Sequence, residues 1–157
     1  IRDGLSQADL DGAATYAANA RAYVEQVKAL DSWIAEQVKQ IPEEHRLLVT
    51  NHESLGYFAD HYGFQVIGTI VPSVSTGASP SAQQLARLVD DIKKADVRAI
   101  FLETGANPQL AQQMARETGI QVVTELYTHS ISAADGPAPT YIEMMKYNTK
   151  AIVDALK

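Results

Sequence analysis

Residues 47–70 read LLVTNHESLGYFADHYGFQVIGTI, and the fold turns on this stretch. Leu47-Leu48-Val49-Thr50 and Val66-Ile67-Gly68-Thr69-Ile70 are short, apolar and rich in β-formers, and a helical segment lies between them. Two further runs of the same kind come later, Ala99-Ile100-Phe101-Leu102 and Gln121-Val122-Val123, each again succeeded by a helical stretch. Strands that alternate with helices through short connections form right-handed βαβ units, and such units build a parallel sheet covered on both faces. The sequence therefore predicts an α/β fold with a four-stranded parallel sheet flanked by helices.

Upstream, Tyr16, Ala20, Tyr23, Val24, Val27, Leu30, Ile34, Val38 and Ile41 recur every three or four positions. They mark one long amphipathic helix over 13–39, with a rise on the order of 40 Å, the length of a whole small domain. Its first half should pack against something other than the α/β unit. The expected organisation is a linking helix over 1–41 followed by an α/β lobe over 42–157. The chain opens at Ile1-Arg2-Asp3, without an initiator Met, a signal region or a membrane-spanning apolar run, and reads as a piece of a longer protein.

Downstream, Ser79 and Pro80 suggest the N-cap and first residue of a helix over 81–94 that buries Leu85, Leu88, Val89 and Ile92. Asn107-Pro108 repeats the device for a helix through Leu110 and Met114, which Gly119 should close after Thr118. A final helix carries Ile142, Met145, Ile152, Val153 and Leu156. Met144, Met145, Tyr141 and Tyr147 read as core at this spacing.

With 157 residues and 46% of them hydrophobic, the chain can bury one ordinary core. A net charge of −6 provides no cationic surface for nucleic acid or anionic lipid. The absence of cysteine excludes thiolate zinc sites, iron–sulfur clusters, disulfides and cysteine nucleophiles, so any metal must bind through nitrogen or oxygen. There is no G-x-G-x-x-G, P-loop or G-x-S-x-G, which removes the mechanical parts of dinucleotide, nucleotide and hydrolase chemistry.

Ligands of open parallel sheets bind outside the carboxyl ends of the strands. The residues just past the four runs are Asn51, His52 and Glu53; Ser73, Ser75 and Thr76; Glu103 and Thr104; and Thr128, His129 and Ser130. Two histidines and a carboxylate thus meet on one edge, a donor set suited to a divalent metal. The alternative is that each histidine is an ordinary loop residue bonded to backbone. His45, in a charged connection, should be solvated, and His61 should pack beside Tyr57 or face water.

The segment Val49-Thr50-Asn51-His52-Glu53-Ser54-Leu55-Gly56-Tyr57-Phe58 resembles the V-T-x-H-D-A-F-G-Y-F segment of zinc and manganese ABC-importer solute-binding proteins. Ser75-Thr76-Gly77-Ala78-Ser79-Pro80-Ser81 is similar to that family's S-T-x-A-x-P-S loop, and Ala99-Ile100-Phe101-Leu102-Glu103 to its third strand, which ends in glutamate. Asp135-Gly136-Pro137-Ala138-Pro139-Thr140-Tyr141 and Met144-Met145-Lys146-Tyr147-Asn148 resemble its closing loop and last helix. The resemblance covers nearly the whole chain.

It implies a two-lobed protein bridged by one long helix, with the metal caught between the lobes and this chain supplying the C-terminal one. The N-terminal lobe, absent here, would bring two histidine ligands. His52 matches the third. The fourth is usually the aspartate of a segment like L-Y-T-D-S, where this chain has Leu126-Tyr127-Thr128-His129-Ser130, so His129 occupies the carboxylate position. Glu103 becomes a supporting group or alternative ligand, Glu53 stands in for the family's aspartate beside the ligand histidine, and Asn51, Ser75 and Thr76 are further supporting candidates.

The function implied is extracytoplasmic capture of a divalent transition metal, Zn²⁺ first and Mn²⁺ second, for delivery to an ABC permease, with no enzyme activity. Its setting would be the periplasm or the outer face of the cytoplasmic membrane, with a lipid anchor in the longer protein. The alternative is a metal-linked adhesin or interaction domain with a vestigial site.

Overall fold

The computed structural model describes residues 1–71 and 80–157. It falls into two compact units, Ile1–Glu36 and Gln37–Lys157. The first holds a short helix α1 (Arg2–Ala8) and most of α2 (Ala13–Val38). Asp9 joins them: its carboxylate accepts from the Gly12 N–H at 3.1 Å and from the Tyr16 hydroxyl at 2.7 Å, which ties down the first turn of α2. The 26 residues of α2 rise about 39 Å. Before Leu30 nothing in α2 is buried, and Tyr23 and Val24 are each 48% exposed.

The second unit contains β1 (Leu47–Thr50), α3 (Gly56–Tyr62), β2 (Gln65–Thr69), α4 (Ala82–Ala95), β3 (Ala99–Glu103), α5 (Gln109–Thr118), β4 (Gln121–Leu126) and α6 (Tyr141–Leu156). A 3₁₀ turn, Glu43–His45, leads into β1. The four strands form one parallel sheet in the order β2-β1-β3-β4. The sheet expected from the alternating pattern is therefore present, with β3 and β4 running further than their apolar runs, to Glu103 and Leu126.

Side-chain alternation divides the strands between two layers. Val49, Ile100 and Leu102 join Leu88, Val89 and Ile92 of α4 and Ala111 and Met114 of α5 in one apolar cluster. Leu48 and Phe101, intervening in the strands and fully buried, point to the opposite layer. There α6, which packs along β3 and β4, buries Ile152, Val153 and Leu156. Gly68 in β2 permits close packing, since a Cβ there would stand 2.7 Å from Leu88 Cδ1.

Helix starts differ in two places from the sequence expectation. Pro108 is the N-cap of α5 and not its first residue. Ser81, not Ser79, is the N-cap of α4: its hydroxyl accepts from Gln84 N–H, and the Gln84 side chain accepts from Ser81 N–H at 2.8 Å, a complete capping box. Ser79 itself lies outside the described residues. Asn107 does serve the start of α5, its side chain accepting from Gln109 N–H at 3.0 Å, and Gly119 closes that helix with φ 79°.

Candidate metal centre

The strand order fixes where a ligand can lie. From β1 the chain moves outward to β2, then crosses to β3 on the other side of β1. The order reverses at the β1–β3 gap, and the crevice beyond their carboxyl ends is the topological switch point of such sheets. His52 extends from β1 into this crevice and Glu103 is the last residue of β3. Sheet bonding persists beyond β1: Asn51 N–H donates to Phe101 O at 3.1 Å and Asn51 O accepts from Val71 N–H at 2.8 Å. The Thr50 hydroxyl then donates to His52 O at 2.9 Å, which fixes the turn that buries His52 to 9% exposure.

The third group arrives from β4. Phe101 pairs with Val123 and Glu103 with Leu126, so β4 uses one residue more than β3 over this interval, and Glu125 takes up the left-handed conformation at φ 74°. Thr104 N–H donates to Leu126 O at 2.9 Å and ends the pairing. Beyond it, Thr128 donates to Glu103 Oε2 at 2.6 Å, and His129 lays its ring on that of His52, centroids 4.9 Å apart and planes within 6°.

Three donor groups meet as a result. His52 Nε2 lies 2.9 Å from Glu103 Oε1 and 3.1 Å from His129 Nε2, and His129 Nε2 lies 3.5 Å from Glu103 Oε2. Ligands at 2.0–2.1 Å around a tetrahedral zinc ion are separated by about 3.3 Å. One ligand atom from each of the three residues lies within 4.8 Å of the others, close enough to share one ion. A single proton on His52 Nε2 can serve Glu103 or His129 but not both, whereas a cation serves all three donors at once. His52 Nδ1 is buried with no hydrogen-bond partner among the described residues.

Beside the donors is a cavity of ≈ 10 Å³, bordered by Thr50, Asn51, Glu103, Leu126 and Thr128. That is room for about one water-sized sphere and not for an organic substrate. Burial raises the Glu103 pKa, but hydrogen bonds from Thr128 and His52 and the nearby charges of His52 and His129 together outweigh it, leaving the carboxyl below its ordinary value. His129 stays 67% exposed, so the donor set is open on its side.

Residues 1–155 match the family described as zinc-uptake complex component A, periplasmic. The chain belongs to this zinc-uptake component A family. Among its relatives, the manganese-binding lipoprotein MntA of Halalkalibacterium halodurans is 36% identical over 156 residues, 99% of this chain and 51% of that protein. The iron-binding protein YfeA of Yersinia pestis is 35% identical over 97% of this chain and 48% of its own length. A manganese-bound variant of a periplasmic metal-binding protein from Candidatus Liberibacter asiaticus superposes with a TM-score of 0.88 at 28% identity, covering 99% of this chain and 57% of that one. The chain spans about half the length of the curated relatives it matches. The family's own description is that of an uptake component, a transport role and not an enzyme activity.

In this member of the zinc-uptake family, the fold gathers some of the residues expected from sequence and leaves others apart. His52, Glu103 and His129 come together and form the metal-capable group among the described residues. Asn51 borders the cavity and contributes backbone bonds, while Glu53 is exposed and outside the group. Ser75 and Thr76 lie outside the described residues, as does Ser73. His45 is not simply solvated: it is half-buried, its Nε2 2.9 Å from Arg98 Nη2, because the 3₁₀ turn brings it to the opening of β3. His61 is exposed and meets the ring of Tyr62 edge-on, 4.7 Å between centroids, and Tyr57 is 96% exposed. Tyr141 is 47% exposed and so not core, whereas Tyr147 packs edge-on against Tyr127.

Sequence reasoning did not single out the bond from Thr128 to Glu103. A hydroxyl residue one position before a candidate ligand, opposite a strand-end carboxylate, was the available signal.

Proposed function

We propose that this chain is the C-terminal half of an extracytoplasmic binding protein that captures Zn²⁺ for an ABC permease, with His52, His129 and Glu103 as its share of the donors. The observation that supports the proposal is the convergence of those three donors, from three strand ends, to within 4.8 Å of one another beside a cavity of about one water's size. Zinc is favoured over manganese because two of the donors are imidazole nitrogens, whereas manganese favours oxygen. The relatives' names include manganese, iron and zinc, and the resemblance puts a carboxylate where this chain has His129, the position on which this reading of the preference rests.

Zinc takes four ligands in a closed site, and this chain supplies at most three. The remainder comes, on this reading, from an N-terminal lobe of the same protein joined through α2, whose apolar Tyr23 and Val24 are left for such a neighbour. The chain is placed outside the cytoplasm, in keeping with relatives described as lipoprotein and periplasmic. A metal-linked adhesin with a vestigial site draws no support from the relatives compared.

Zinc titration calorimetry tests the proposal. The isolated chain is expected to bind weakly and the whole protein tightly. Tight stoichiometric binding by the isolated chain would sink the shared-site reading, and unchanged affinity on replacing both His52 and His129 by Ala in the whole protein would make the site vestigial.

A further inference from the structure

We infer that Asn148 is a positioning residue for the metal site: from the buried face of α6 it holds the chain where β4 ends, and thereby sets where Thr128 and His129 stand. The inference rests on the metal reading proposed above and extends it to a residue outside the donor group.

β4 is an edge strand, and its pairing with β3 ends at Leu126 O. A chain leaving a sheet edge has free N–H and C=O groups and nothing to fix its direction. Tyr127 is held nonetheless. Its N–H donates to Asn148 Oδ1 at 2.9 Å, and its C=O accepts from Asn148 Nδ2 at 2.7 Å. A primary amide offers the same donor and acceptor as a peptide unit, so Asn148 acts as a strand partner one residue long.

Asn148 is 5% exposed, on a helix face whose neighbours Thr149 and Ile152 are 0% and 1% exposed. A buried amide is costly unless both of its halves are satisfied. Here both halves are given to one backbone residue. The Tyr127 ring adds to the hold by packing edge-on against Tyr147, 5.5 Å between centroids.

The clamp lies just past the bulge at Glu125. An extra residue in a strand moves every later side chain to the other face, so the facing of Thr128 and His129 depends on register. Asn148 locks that register at Tyr127, two residues beyond the bulge. Directly past this clamp, Thr128 reaches Glu103 and His129 reaches His52.

The test uses the whole protein with Asn148→Ala, and with Asn148→Asp as the near-isosteric variant that keeps an acceptor for Tyr127 N–H if the first does not fold. Zinc affinity is measured in each, alone and combined with His129→Ala. Loss of a supporting partner costs roughly 10–100-fold in affinity, and that is the expected fall. In the His129→Ala background the further loss should be smaller, leaving only the part carried through Thr128 and Glu103. Unchanged affinity, or an equal loss in both backgrounds, overturns the inference. A metal-free arm decides it even if zinc is not the cargo. Nuclear Overhauser contacts between the ring protons of His52 and His129 are expected in the parent protein and should be lost in a folded Asn148 variant; their persistence overturns the inference.

Discussion

His52 and His129, 77 residues apart in sequence, lie face to face with planes within 6° and direct their Nε2 atoms to within 3.1 Å of each other. The two Nε2 atoms are thus brought close together, and Glu103 Oε1 lies 2.9 Å from that of His52.

Replacing either histidine by Ala in the whole protein should weaken zinc binding by more than about 100-fold, beyond the usual effect of losing a supporting group. Competition against a chromophoric chelator measures this. Equal affinity in both variants and the parent would remove these residues from the site.

His129→Asp should move selectivity toward manganese. An oxygen donor at this position suits manganese better than imidazole does, so the ratio of zinc to manganese affinity should fall. Parallel titrations with the two ions give the ratio directly. A ratio that is unchanged or raised would show that residue 129 does not set the preference.

Metal-free stability should depend on pH through Glu103. Its folded pKa lies below its ordinary value of 4.5, so its contribution is complete above the unfolded pKa and is lost as pH falls through the folded one. Urea midpoints in chelator over roughly pH 6 to 3 should decline less steeply for Glu103→Gln than for the parent. Parallel curves would contradict the assignment.

Ser81→Ala removes the hydroxyl that accepts from Gln84 N–H at 3.3 Å and should lower stability by about 1 kcal/mol. The denaturant midpoint should move with its slope unchanged, and zinc affinity should stay at the parent value. A loss of zinc affinity would link the α4 terminus to the site.

Much of this was legible in the sequence, for physical reasons that can be named. The apolar runs at Leu47, Ala99 and Gln121 betray a sheet because buried parallel strands need continuous apolar residues. The edge rule then placed His52, Glu103 and His129 together without knowledge of the strand order. What stayed hidden depends on contacts between distant segments. Thr124 and Glu125 interrupt the apolar pattern, so the extension of β4 through its bulge could not be read from periodicity. Asn148 in an amphipathic helix looks like a solvent-facing residue until Tyr127 is seen beside it. The cap was legible and misplaced: Gln84 stands three residues after Ser81, the spacing of a capping box, and that pairing outweighs the Ser79-Pro80 dipeptide.

Because the donors leave three different strands, with His52 51 residues from Glu103 and 77 from His129, no short segment of the unfolded chain gathers them. This is the opposite of a zinc finger, whose ligands nucleate folding. With the site proposed above, the sheet must be complete, down to its last and outermost strand, before an ion would find its coordination. Metal occupancy therefore reports on finished molecules only, and by mass action it draws the population toward them without helping any earlier step of folding.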